Sequence, residues 1–254
     1  VSYLPFMNRQ DACSTIKFIS CGTGILPVLE NGVISNKIEE QVWMVNPMTS
    51  QVLSPVIVDS LPEQRVVLEG VSWQQYELLL ATLGDDFPAL RLSYLEGMLE
   101  IMSNSPLHEE LKTTIGMLME AYFQDTRTRF HAIGSATFRK VAKQRGLEPD
   151  ECYCLGQKKE FPDLAIEVVL SSGMVDKLEI YRGLGVTEVW VWEAGRFTIR
   201  HLRADGYECL ARSELLPECD IELLANYVKP EEQFDAVMAF REELKMRSYN
   251  EQQE

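Results

Sequence analysis

The residues of this sequence with the clearest chemical potential lie in one stretch, EPDECYCLGQKKEFPDLAIEV, residues 148–168. Pro-Asp occurs there twice, at Pro149-Asp150 and Pro162-Asp163, and Glu167 follows inside the apolar run LAIEVVL. Read as an antiparallel hairpin turning at Lys158-Lys159, the stretch sets Asp150 opposite Glu167 on one sheet face, with Cβ atoms about 4.5–5.5 Å apart. Leu164, Ile166 and Val168 then point to the other face, into the core. Two partly buried carboxylates at that spacing repel, so one of them holds a proton or a cation sits between them. Oxygen-only ligands select Mg²⁺ or Mn²⁺, with water and a substrate phosphate completing the shell. The register is decisive, because a slip of one residue sends one acid to the opposite face. Pro-Asp is also ordinary turn chemistry, and Asp163 is read as a strand-edge residue on that ground. Glu167 is different: a carboxylate in mid-strand among apolar neighbours needs a partner or a task.

Composition limits what such a site can act on. With 24 Lys and Arg against 39 Asp and Glu, the net charge of −15 argues against a protein that holds nucleic acid by a general basic surface. The charge is uneven, however. Arg127, Arg129, Arg139, Lys140, Lys143 and Arg145 fall between Asp125 and Glu148 with no acid among them. That track reads either as a solvated strand and loop or as a path for a phosphate backbone. The six cysteines contain no CxxC pair and no histidine at zinc-finger spacing, so reduced thiols in a cytoplasm are expected rather than a structural zinc site. No run of about 18 apolar residues is present, and no spanning helix or membrane partner is expected.

The elements that must position these acids can be read in order. Residues 1–60 show no sustained period and are expected to be a poorly ordered or non-native extension, with a regular pattern beginning near Met48. VSWQQYELLLATLG predicts a short helix with Ser72 as N-cap. LRLSYLEGMLEIMS predicts a hairpin closed at Glu96-Gly97, and PLHEELKTTIGMLMEAYFQ a helix burying Leu111, Ile115, Leu118 and Tyr122. After the two strands of the acid-bearing stretch come a helix from about Met174 to Arg182, three strands in EVWVWE, RFTIRHL and YECLAR, and a closing amphipathic helix. Trp190 and Trp192 alternate on one strand and are read as core.

PDECYCLG, FPDLAIEV and DKLEIYRGLGVTEVWVW, preceded by YLEGMLEIMSNSPLHE, together resemble the Uma family of restriction endonucleases, a bacterial branch of the PD-(D/E)XK nuclease superfamily. The resemblance runs from about residue 66 to about residue 228. It implies a mixed α/β, restriction-endonuclease-like core with one curved mixed sheet flanked by helices, in a domain spanning residues 61–228 and followed by a C-terminal helix and tail at 229–254. It further implies a Mg²⁺- or Mn²⁺-dependent endonuclease acting on DNA, with Asp150 and Glu167 as metal ligands and a lysine that orients the attacking water. The E-x-K pattern places that lysine at position 169, where this chain has Val169. Lys177 on the following helix is the expected replacement, with Tyr181 one turn later. His108 and Glu96 also match family positions and are read as auxiliary groups, His108 either at a phosphate or as a packing residue and Glu96 as an acid or a turn residue. DNA and a second copy of the chain are the expected partners. Two rival readings remain open at this point: a catalytically inactive scaffold that binds nucleic acid or protein, and a retaining glycosidase, which would need an aromatic sugar cleft beside the acids.

Overall fold

A computed structural model describes residues 63–83, 87, 89–134 and 136–251. The expectation for residues 1–60 lies outside these described residues. In chain order the elements are β1 (Gln64–Leu68), α1 (Trp73–Leu83), β2 (Leu90–Leu95), β3 (Met98–Ser103), α2 (Pro106–Asp125), β4 (Phe130–Ala132), β5 (Phe138–Lys140), β6 (Arg145–Leu147), β7 (Glu151–Leu155), β8 (Leu164–Val169), α3 (Lys177–Leu184), β9 (Glu188–Glu193), β10 (Arg196–Leu202), β11 (Tyr207–Leu210), α4 (Ile221–Asn226) and α5 (Gln233–Glu251). The fold is mixed α/β, with sheets and flanking helices.

The strands do not form one curved sheet, as the resemblance had implied. Their hydrogen bonds divide them into a five-stranded sheet of order β1-β3-β2-β6-β5 and a six-stranded sheet of order β11-β10-β9-β8-β7-β4. The first is antiparallel throughout. In the second, β8 and β9 run parallel and are joined through α3, because a parallel pair needs a crossover and not a tight turn. After β4 joins the second sheet and β5 and β6 return to the first, the chain passes to the second sheet for the last time between β6 and β7, just where Asp150 stands.

Local sequence explains the elements nearest that junction. Ser72 and Gln75 form a reciprocal cap at the start of α1, with the Ser72 amide donating to Gln75 Oε1 at 2.7 Å and the Gln75 amide to Ser72 Oγ at 3.3 Å. The β2–β3 turn holds Glu96 at φ 48° and Gly97 at φ 101°, the positive angles that a two-residue hairpin requires. Ser105 caps α2 by accepting the His108 amide, with Pro106 in the first turn. α3 begins at Lys177, three residues later than the sequence pattern suggests, because Asp176 is its N-cap and accepts the Glu179 amide at 3.2 Å.

The β7–β8 register pairs Glu151 with Ile166, Cys152 with Ala165 and Tyr153 with Leu164, which is the register expected from the sequence. One step further along lie Asp150 and Glu167. Tyr153, Leu164, Ile166 and Val168 face α2 and join Leu111, Ile115 and Leu118 in one core. The opposite face is also core: Cys152 and Ala165 pack with Ile180, Tyr181 and Leu184 of α3. β8 is therefore covered on both sides, as parallel-paired strands usually are. Trp190 and Trp192 are buried in the first of these cores beside Phe197. α5 lies along α2, with Gln233 Nε2 donating to Glu110 O and Arg241 paired with Asp125.

A second buried acid anchors the far side of the second sheet. Glu188, fully buried, accepts from Trp190 Nε1 at 2.9 Å, His201 Nδ1 at 3.0 Å, Ser213 Oγ at 2.6 Å and the amides of Glu214 and Leu215 at 2.8 and 3.2 Å. Burial alone would raise its pKa. The hydrogen bonds from Ser213, His201 and Trp190 outweigh burial and hold it below its usual value of 4.5. A depressed carboxylate contributes stability above the unfolded pKa and loses it as the pH falls through the folded one. Glu188→Gln should therefore lower stability at neutral pH by about 1–3 kcal/mol and show a smaller further loss on acidification below about pH 4.5 than the native chain, as urea denaturation across pH measures.

Candidate active site

Asp150 enters the site from the β6–β7 junction and Glu167 from mid-strand in β8, and their side chains are almost completely buried, at 3% exposure each. Such burial is costly for a carboxylate unless donors replace its water. For Asp150 the donors are His108 Nε2, 2.9 Å from Oδ1, and the Val168 amide, 2.8 Å from Oδ2. For Glu167 they are Lys177 Nζ, 2.6 Å from Oε2, and the Tyr181 hydroxyl at Oε1. Lys177 and Tyr181, one helical turn apart on α3, thus grip one carboxylate from above the sheet.

The electrostatics follow from this arrangement. Burial pushes Glu167 up, Lys177 opposes it, and the charge of Asp150 adds to the rise. Burial acts on Asp150 as well, but the hydrogen bond from His108, the charges of Lys177 and His108 and the Val168 amide together bring its pKa down. Burial alone would lower Lys177, yet the charges of Glu167 and Asp150 hold it above its usual range. Burial raises the Tyr181 phenol and the Glu167 charge raises it further, so it is a proton donor. The pair divides the roles of two neighbouring acids: Asp150 is the stronger acid and Glu167 the one on which a proton is easier to place.

His108 is fully buried, with a carboxylate at each ring nitrogen: Glu63 Oε1 lies 2.6 Å from Nδ1 on the side opposite Asp150. Burial favours the neutral ring, but the two acids prevail and raise its pKa. A ring with an acid at each nitrogen favours the protonated form more than a free imidazole does. Beyond it, Arg65 Nη1 donates to Glu100 Oε1 at 2.8 Å, and Ser171 Oγ donates to Glu63. The first sheet therefore supplies Glu100 and Arg65, and Glu63 just before β1, none of which the sequence reading singled out. Glu100 carried the same signal as Glu167, an acid within the apolar strand MLEIMS. Arg65, on an edge strand of ordinary alternating polarity, and Glu63 just before it carried none.

Other residues expected at the site lie elsewhere. Glu96 is exposed at the hairpin tip and pairs with Arg145 at 3.0 Å. Arg145 also donates to Glu179 O at 2.7 Å and packs along Gly183, so it serves to join β6 to α3. Lys140 stands over the Phe161 ring at 5.5 Å. Arg127, Arg129, Arg139 and Lys143 are exposed, the first two between α2 and β4 and the others around β5. Asp163 accepts the Leu155 amide and pairs with Lys159, holding the β7–β8 loop closed.

Among the described residues no three or more His, Cys, Asp or Glu side chains converge as a metal cage. The donor chemistry of Asp150 and Glu167 suits a hard divalent ion, which takes one or two protein carboxylates and fills its remaining positions with water and phosphate.

A mixed α/β fold with a buried acid pair and a helix-borne lysine at the junction of two sheets is the setting in which the sequence comparison falls. The family model of Uma2, described as putative restriction endonuclease, matches residues 73–225, and the chain belongs to that family. A search of curated proteins found no match.

The acid pair depends on Lys177 for its charge balance. Lys177→Met should destabilise the metal-free protein by on the order of 3 kcal/mol near neutral pH, because it leaves a buried carboxylate uncompensated. Without the ammonium, the folded-state pKa of Glu167 rises further above its unfolded value. Its contribution is then present below the unfolded value and lost as pH climbs through the folded one. The deficit should be larger at about pH 8 than at about pH 5 in urea denaturation with chelator present.

Proposed function

We propose that this chain is a Mg²⁺- or Mn²⁺-dependent endonuclease that hydrolyses DNA phosphodiester bonds. The observation that carries the reading is the reach of Lys177: its ammonium stands 2.6 Å from Glu167 although Val169 occupies the strand position of the E-x-K pattern. A lysine delivered from the next helix can serve the same carboxylate from a different backbone position.

In this reading Asp150 and Glu167 hold the ion. When bound, the ion lowers the pKa of water and offsets charge that develops on the phosphate. Lys177 donates through Nζ to the attacking water and orients it. His108 fixes Asp150 from the side away from Glu167, and Tyr181 fixes Glu167, so that neither acid turns from its place. Arg127, Arg129, Arg139 and Lys143 offer phosphate contacts, at an affinity that falls steeply with salt for so acidic a chain. A reducing cytoplasm fits the free thiols of Cys152, Cys154, Cys209 and Cys219, and a second copy of the chain would allow both strands to be cut.

One observation favours a second reading, an inactive scaffold that binds nucleic acid or protein. Each oxygen of Asp150 and Glu167 already has a donor from the chain itself. Cleavage of linear and supercoiled DNA with Mg²⁺ or Mn²⁺ at low salt separates the two. The nuclease reading expects Lys177→Ala to keep its Mn²⁺ affinity and slow cleavage by about 10²-fold or more, and Asp150→Asn to lose both. Val169→Lys in the Lys177→Ala background should restore part of the rate. Wild-type protein that cuts neither DNA nor RNA under these conditions would establish the scaffold reading instead.

A further inference from the structure

Lys177 is useful only if it stands where it does, and the segment that leads to it, residues 170–176, has no helix or strand of its own. Its placement comes from the first sheet. Arg65 on β1 donates through Nη2 to Ser171 O at 2.8 Å and through Nε to Ser171 Oγ at 3.2 Å. Its Nη1 donates to Glu100 Oε1 at 2.8 Å, and the other Glu100 oxygen accepts the Met174 amide at 2.8 Å. Both ends of the 171–174 bend are thereby tied to one ion pair. The planar guanidinium suits this, because its donors sit on three separate nitrogens of one rigid plane, whereas the three donors of an ammonium all leave from one atom.

Gly173 supplies an independent observation. A Cβ there would lie 3.0 Å from Arg65 Nη1 and 3.0 Å from both Glu100 carboxylate oxygens. The bend lies directly against the pair, and a methyl group there would press the pair aside by a few tenths of an ångström. The pair is also withdrawn from solvent, with side-chain exposures of 17% for Arg65 and 2% for Glu100, so its bonds are not diluted as a surface bridge would be. The charged groups facing Arg65 are Glu63 and Glu100, with Lys177 near enough for its charge to be felt. β1 precedes the span matched by the family model, so the tie is contributed from outside that span.

We propose that Arg65 and Glu100 are positioning residues that clamp the β8–α3 connection and set where Lys177 stands relative to Glu167. The proposal rests on the nuclease reading of Lys177. It makes Glu100 a holder of the Met174 amide, and it assigns Arg65 no contact with DNA.

The test compares Arg65→Ala, Arg65→Lys and Gly173→Ala, which approach the clamp from its two sides. Two readouts are used: hydrogen exchange at the Met174 amide, and the division of cleavage kinetics into kcat and KM, with Mn²⁺ affinity and Tm as controls. All three variants should speed exchange at Met174 by tenfold or more and lower kcat by about 10–10²-fold while KM and Mn²⁺ affinity hold, as displacement of a reacting group by about 1 Å does. Arg65→Lys should recover little of the rate. The Arg65→Ala/Gly173→Ala double variant should be no slower than the slower single, because both break the same contact. A rise in KM with a shallower salt dependence and unchanged Met174 exchange would make Arg65 a phosphate contact and overturn the proposal. Native kcat in Gly173→Ala together with native exchange would overturn it as well. Should the wild type show no cleavage, the nuclease reading falls by itself, and exchange at Met174 still decides whether the clamp exists.

Discussion

The structure turns on the burial of two carboxylates, Asp150 and Glu167, side by side between α2 and α3. Neither has water to solvate it, and each raises the cost of ionising the other. The surrounding elements answer that cost. α2 contributes His108 at its N-terminal turn, α3 contributes Lys177 and Tyr181, and β8 contributes the Val168 amide. The groups that hold the acids, His108, Lys177 and Tyr181 with the Val168 amide, come from α2, α3 and β8, so the balance exists only when these elements are assembled.

Comparison with Glu188 shows what is particular about this arrangement. Glu188 is just as deeply buried, but its oxygens are satisfied by an indole, an imidazole, a hydroxyl and two amides, with no acid partner to disturb it. It is a settled structural charge that pins residues 213–215 to the second sheet. Asp150 and Glu167 are coupled and pulled to opposite sides of their usual range, one down and one up. The charge state of such a pair depends on the neighbouring groups that face it.

The first sheet is more than packing for this site. Glu63 extends the chain of contacts from Asp150 through His108, and Ser171 links Glu63 to the bend ahead of Lys177. The core of the family resemblance begins at α1, yet contacts from β1 reach both sides of the acid pair. A domain cut to the matched span would remove Glu63 and Arg65, and with them part of the hold on His108 and on the β8–α3 connection.

How much of this was legible beforehand depended on the range of each interaction. The sequence alone indicated the β7–β8 register, because a turn centred on Lys158-Lys159 fixes which residues face each other, and it marked Glu167 as anomalous, because an acid in a buried strand must be matched. The cap at Ser72 and the turn at Glu96-Gly97 were equally local. The resemblance offered Lys177 in place of the lysine absent at Val169, and the structure brings its ammonium to Glu167. Tertiary structure alone decided that the strands split into two sheets, that Glu96 faces Arg145 and not the acids, and that Arg145 belongs to the β6–α3 contact. It alone brought Glu63, Arg65 and Glu100 to the site. Those contacts join residues 35 to 108 positions apart, and no periodicity or cap within one element records which distant strand will lie beside it. Only the closing of the two sheets around the buried acids specifies that choice.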